Sequence, residues 1–172
     1  MYDARLNRRA LFGLLAVGAA VRAASATAAT PQVGDVAPDF QLTLVDNSRV
    51  GFAELRGQVI MLKLWATWCG PCRTELPLLD RYYRARRDSG LRVFAVATED
   101  SLPLYQMREL FRALAIPSAR RMRGPYESLG AMPTNYVIDR AGRIRWARTG
   151  SFNLASLNQL LIPLLNERAP AA

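Results

Sequence analysis

The 172-residue chain has no histidine and only two cysteines, and these shortages exclude a good deal of chemistry. A structural zinc site takes four ligands, and two thiols without a histidine supply half of one. A c-type haem attachment needs a histidine directly after the second cysteine, where this chain has Arg73. There is no GxGxxG segment, hence no dinucleotide fingerprint, and no internal repeat or low-complexity block. The formal charge is +9, but the arginines are scattered and no stacking aromatics are interleaved with them, which argues against nucleic acid as a partner. Arg81, Arg84 and Arg87 are expected on one helix face and Arg120, Arg121 and Arg123 in a loop, as solvated charge or as a contact for an acidic protein. No metal and no cofactor is expected.

Both cysteines lie in Trp68-Cys69-Gly70-Pro71-Cys72. Two intervening residues, with the second cysteine in a first helical turn, bring the Cα atoms to about 5 to 6 Å, inside the window for an unstrained disulfide. The pair can open and close. As a mere staple it would do little, because closing so short a loop removes little entropy from the unfolded chain.

The N-terminus carries basic residues, an apolar run from Leu11 to Val21, then a small-residue stretch from Ala23 to Ala29. That is the order of a secretory signal, and Asn7-Arg8-Arg9-Ala10-Leu11-Phe12 is similar to a twin-arginine export signal. The expected organisation is a signal peptide over residues 1–29 and one domain over 30–172. An uncleaved membrane anchor is the alternative, although the run before Arg22 falls short of the ~20 residues that span a bilayer. Exported proteins commonly use cysteines as staples; a single close pair reads instead as a working dithiol.

Val59 to Trp65 is an almost unbroken apolar run, the pattern of a strand covered on both faces. The cysteine motif follows at once. Leu76, Leu79, Tyr82 and Tyr83 then recur at helical spacing up to a stop at Asp88-Ser89-Gly90. A strand over Leu91–Ala97, a helix over about 104–114, a strand over Thr134–Ile138, a turn at Asp139-Arg140-Ala141-Gly142 and a hairpin partner through Ile144 and Trp146 complete a βαβα pattern. Asn153 is the candidate N-cap of a closing helix with Leu154, Leu157, Leu160, Leu161 and Leu164 on one stripe. Pro163 is expected to kink or shorten that helix.

Ala37-Pro38-Asp39-Phe40-Gln41-Leu42, Leu55-Arg56-Gly57, Trp65 through Arg73, Glu75-Leu76-Pro77, Met132-Pro133-Thr134 and Ile138-Asp139-Arg140 together resemble the thioredoxin superfamily, specifically its exported TlpA-like and ResA-like branch. The resemblance implies an α/β thioredoxin fold: a central mixed β-sheet flanked by helices on both faces, an N-terminal β-hairpin, and a central insertion between Thr98 and Pro133 that is too long to be structureless. It implies a periplasmic thiol:disulfide oxidoreductase, with Cys69 as nucleophile and Cys72 as resolving thiol. A helix N-terminus at Cys69 would favour its thiolate in the same sense. Gly70-Pro71 matches the dipeptide of thioredoxin, whose potential of ~−270 mV is that of a reductant.

Further roles follow from the resemblance. Pro133 resembles the family's cis-proline, which with Met132 and Trp68 would shape the substrate groove, and Trp65 is expected in the core. Glu75 matches an acidic position that can influence thiol protonation; a plain helix-surface glutamate is the other reading. Lys63 departs from the pattern, since thioredoxins have a buried Asp there and exported relatives often Asn. It would stabilise a thiolate, titrate downward if buried, or snorkel with its stem covering the strand. The implied partners are a disulfide-containing protein substrate and a membrane-bound thiol electron donor, acting on a monomer, with cytochrome c maturation as the implied setting.

Two rivals remain. A peroxiredoxin-like peroxide reductase would place Thr three residues before the reactive Cys, where this chain has Ala66, and Thr67 is one residue off. A thioredoxin-fold binding or chaperone module would carry the disulfide incidentally. For the N-terminus, sequencing of the exported protein is expected to start just after Ala26, Ala28 or Ala29; a chain still beginning at Met1 would establish the anchor.

Overall fold

The computed structural model describes residues 29–98, 101 and 103–169, so the expected export segment lies outside the described residues apart from Ala29. Seven strands form one sheet: β1 Gln41–Leu44, β2 Arg49–Gly51, β3 Val59–Trp65, β4 Leu91–Ala97, β5 Ser118–Arg123, β6 Thr134–Ile138 and β7 Ile144–Thr149, in the order β2-β1-β5-β4-β3-β6-β7. The helices are α1 Gly70–Arg86, α2 Arg108–Ala113 and α3 Leu154–Asn166. β3, β4 and β5 are parallel and the remaining pairings antiparallel, so the sheet is mixed.

All seven residues of β3 are buried, as its unbroken apolar run requires of a central strand. Period-2 alternation divides them between two cores. Val59, Met61 and Trp65 meet Leu76 and Leu79 of α1 and Leu157 and Leu161 of α3. Ile60, Leu62 and Leu64 meet Phe40, Phe52, Tyr126 and Tyr136 on the other face. The α-helices cover the first face, and the 3-10 turn Phe52–Leu55 with the chain around Tyr126 and Leu129 covers the second.

The β1–β2 hairpin turns through Asn47 in a positive-φ conformation (72°) and joins the sheet through β5. α1 stops near the expected place, where Gly90 adopts φ 90° after a short 3-10 turn. Asn153 caps α3 by accepting a hydrogen bond from the Ser156 backbone N–H at 2.9 Å. That helix runs on through Pro163 to Asn166, so the proline removes one backbone donor without ending the helix at its own position.

The insertion departs from expectation in one respect. Arg120, Arg121 and Arg123 lie on strand β5, not in a loop. The run of arginines hides the strand pattern, which rests on buried Ser118 and Ala119 and half-buried Met122, paired with β4 and β1. The helical part, expected over 104–114, is a 3-10 turn Leu104–Met107 followed by α2, and neither has a buried residue. Asp80 of α1 fastens its end: Oδ1 accepts the N–H groups of Ala115 (2.6 Å) and Ile116 (2.9 Å), and Oδ2 accepts from Arg84 Nε (2.7 Å).

The second core is rich in tyrosine. Tyr126 donates to the Pro38 carbonyl at 2.8 Å and stacks edge-on against Tyr136, which donates to the Glu127 carbonyl at 2.7 Å. Burial raises the pKa of both phenols above the ordinary 10.0, and the Asp39 charge pushes Tyr126 further in the same direction. A raised phenol keeps its proton in the folded protein after the unfolded chain has lost it. Stability is therefore present below pH 10 and falls as pH rises from there toward the folded values. Urea titrations between pH 8 and 11 are expected to show that loss, and Tyr126→Phe to flatten it.

Candidate active site

The motif sits where β3 ends and α1 begins. Cys69 is the N-cap of α1, with φ −79° and ψ 101°, and Pro71 occupies the first turn, where its missing N–H costs nothing. Sγ of Cys69 accepts a hydrogen bond from the Cys72 N–H at 3.2 Å. The two cysteines form a disulfide with Cα atoms 5.3 Å apart. Cys72 is wholly buried, whereas Cys69 keeps 4% of its surface exposed, so Cys69 is the less enclosed of the two.

The residues singled out from sequence differ in exposure. Trp68 is 59% exposed, and Trp65 is fully buried. The Met132–Pro133 bond is cis; Pro133 is buried and Met132 half-buried at the start of β6. On the other side of Gly70 runs a groove of about 610 Å³ lined by Arg73, Thr74, Met107 and Leu110, which the insertion helps to build.

Lys63 and Glu75 turn out to be partners. Lys63 Nζ donates to Glu75 Oε2 at 2.6 Å, with 0% and 3% of the two side chains exposed. Glu75 Oε1 accepts the Phe152 N–H at 3.0 Å, so both carboxylate oxygens are occupied. This excludes the snorkelling reading of Lys63 and the helix-surface reading of Glu75. The lysine points inward because strict alternation along β3 puts it on the same face as Met61 and Trp65, under α1. Burial lowers its pKa from 10.5, and the Glu75 charge and hydrogen bond oppose that fall. Glu75 lies three residues beyond Cys72, one helical turn along the same face.

Two further groups escaped the sequence reading. The Phe152 N–H orients Glu75 across a long stretch of chain, and a backbone donor leaves no signal in sequence. Asn135 stands directly opposite Lys63 in the β3–β6 register and is 0% exposed. Its signal was available: an amide residue two positions after Pro133, leading directly into Tyr136, Val137 and Ile138.

A reversible dithiol at a helix N-terminus, on a thioredoxin fold, defines the class of thiol-disulfide oxidoreductases. Residues 33–147 match the model of the AhpC/TSA family, and the chain belongs to that family. It is 35% identical over 147 residues to the thiol-disulfide oxidoreductase ResA of Oceanobacillus iheyensis, a match covering 81% of this chain and 74% of the relative. Thioredoxin-like protein YneN of Bacillus subtilis is 28% identical over 134 residues, or 76% and 79% of the two chains. Among solved structures, a Chlorobium tepidum protein provisionally assigned as the thiol:disulfide interchange protein DsbE superposes with a TM-score of 0.65 at 25% identity, covering 80% of this chain and 100% of that one. The enzyme is a thiol-disulfide oxidoreductase with a Cys69–Cys72 pair.

The buried pair makes a stability prediction. Lys63→Met leaves the Glu75 carboxylate in the core without its cation and is expected to cost about 3 to 5 kcal/mol in urea unfolding. Lys63→Met/Glu75→Gln should recover most of that loss, since glutamine keeps an oxygen for the Phe152 N–H and carries no charge.

Proposed function

We propose that this enzyme is a periplasmic reductase of protein disulfides, with Cys69 as attacking thiolate and Cys72 as resolving thiol. The observation that carries the reading is the asymmetry of the pair: Cys69 is a helix N-cap that receives the Cys72 N–H and keeps 4% of its surface exposed, while Cys72 is fully buried one helical turn before Glu75. A sulfur in the first position is stabilised as thiolate by the N–H and the positive end of the helix.

In the dithiol form the Cys69 thiolate attacks a client disulfide. One client sulfur leaves as thiolate and takes up a proton; the other remains bonded to Cys69. Glu75 then receives the Cys72 proton, Cys72 attacks Cys69 Sγ, and the second client sulfur leaves with the electron pair. Two electrons and two protons pass to the client, and the enzyme ends as the disulfide. Trp68, Met132 and Pro133 hold the client chain beside Cys69, and Lys63 with Glu75 sets the protonation of the thiols. Reduction in an oxidising compartment calls for a thiol donor held in the membrane, and the resemblance to the ResA-like branch supports a precursor in cytochrome c maturation as client. Among the described residues no helix is long and apolar enough to cross a membrane.

Cys72→Ser should accumulate a mixed disulfide through Cys69 with its client, which mass spectrometry would name. Adducts on position 72 in the converse Cys69→Ser variant, with none on Cys69, would reverse the assignment. A potential above roughly −150 mV, near that of DsbA, would make the enzyme an oxidant, and stoichiometric peroxide consumption would make it a peroxide reductase.

A further inference from the structure

Of the 23 basic residues of the chain, Lys63 is the single lysine. It stands at a fully buried position, where an arginine would be fixed by its planar fork and a lysine offers a compact ammonium on a flexible stem. One acceptor is accounted for, Glu75 Oε2. A second faces it. Asn135 lies opposite Lys63 across the antiparallel β3–β6 pair, and side chains so placed share a face with Cβ atoms about 4.5 to 5.5 Å apart. Its amide orientation is fixed, because Nδ2 donates to the Gly150 carbonyl at 2.8 Å. That leaves Oδ1 buried and without a hydrogen-bond partner among the described residues. A buried acceptor left unmade carries a desolvation cost, and here its residue stands across the strand pair from the only lysine of the protein.

We propose that the Lys63 ammonium has two seats, the Glu75 carboxylate and Asn135 Oδ1, and moves to the second when Glu75 takes the proton of Cys72, so that Asn135 is a positioning residue for the resolving step. The inference rests on the reductase reading above. The proton moves from Cys72 Sγ to Glu75 Oε, which leaves Cys72 a thiolate and Glu75 a neutral carboxyl. The ammonium has then lost its carboxylate, the negative charge having passed to the Cys72 sulfur: β4 offers Ala95 in register, β6 offers Asn135, α1 carries Glu75 and Cys72, and among the described residues Glu75 is the charge that acts on Lys63 in the disulfide form. Asn135 Oδ1 receives it without adding charge. The new thiolate bonds to Cys69 Sγ, the client sulfur departs with its electron pair, and the proton on Glu75 leaves to that sulfur through solvent. The carboxylate then recovers its lysine, which is the arrangement of the disulfide form.

The same seat touches the substrate side. Gly150, whose carbonyl holds Asn135, donates its N–H to the Pro133 carbonyl at 2.9 Å. A cation on Asn135 thus lies two hydrogen bonds from the cis-proline that faces the client.

A single lysine makes the test direct, because 15N-lysine labelling gives one Nζ signal. Glu75→Gln fixes the uncharged state, so Asn135→Ala should shift that signal in the Glu75→Gln background and leave it in place in the otherwise wild-type disulfide form. An Nζ signal unmoved in the Glu75→Gln background overturns the proposal, as does a crystal structure of Glu75→Gln with Nζ still on residue 75 and away from Asn135. Neither readout depends on a client, so each stands even if the reductase reading fails. In single turnover, Asn135→Ala should slow release of a peptide from its mixed disulfide with Cys69 by about tenfold, within the usual range for coupled buried neighbours, and should raise the pH at which release becomes fast. The effect should vanish in a Lys63→Asn background. An equal slowing there would mean that Asn135 acts only through Gly150, and the two seats would be refuted.

Discussion

A strand buried on both faces that nevertheless contains a lysine imposes the central constraint of this molecule. β3 has neighbours on both sides and cores above and below, so its ammonium has no route to water. A carboxylate must lie over it, and that carboxylate must itself be satisfied on its second oxygen. Glu75 meets the first need, and the backbone after β7 meets the second at Phe152. Strand, redox helix and the β7–α3 connection are thereby locked to one another through a single charged contact. The helix that bears the cysteines cannot shift along the sheet without breaking it.

That contact lies beneath the chemistry. Cys69 takes its character from the end of α1, and Cys72 from what lies below it. The two sulfurs therefore sit in unlike surroundings: one caps the helix and keeps a trace of exposure, the other is fully buried one helical turn before a carboxylate paired in the core. Neighbouring chemically identical groups are made to do different work by exposure and by the charges around them.

Much of this was legible in the sequence. The apolar run of β3, the N-cap position of Cys69, the stop at Gly90 and the cap at Asn153 each rest on a local rule of pattern or capping, and local rules survive folding well. What escaped depended on partners distant in the chain. Lys63 and Glu75 were each visible as singular residues, but their pairing needs the strand and helix to be laid together. Asn135 acquires meaning only from its register opposite Lys63. β5 was missed because three arginines mask a strand whose inward positions are few, and a strand paired on both sides by backbone does not need many apolar side chains to persist.

The fastening of the insertion by Asp80 has an evolutionary corollary. The turn and helix from Leu104 to Ala113 bury no residue fully, yet they form one wall of the groove beside Gly70, and they are held at their far end by hydrogen bonds to the backbone at Ala115 and Ile116. Backbone N–H groups are the same whatever the side chains. A descendant of this chain is free to rewrite the exposed positions of that stretch while the anchor holds and Phe111 keeps its place against Trp65, and so to reshape the groove beside Gly70 without touching the thiols. Selectivity and chemistry are thus inherited separately.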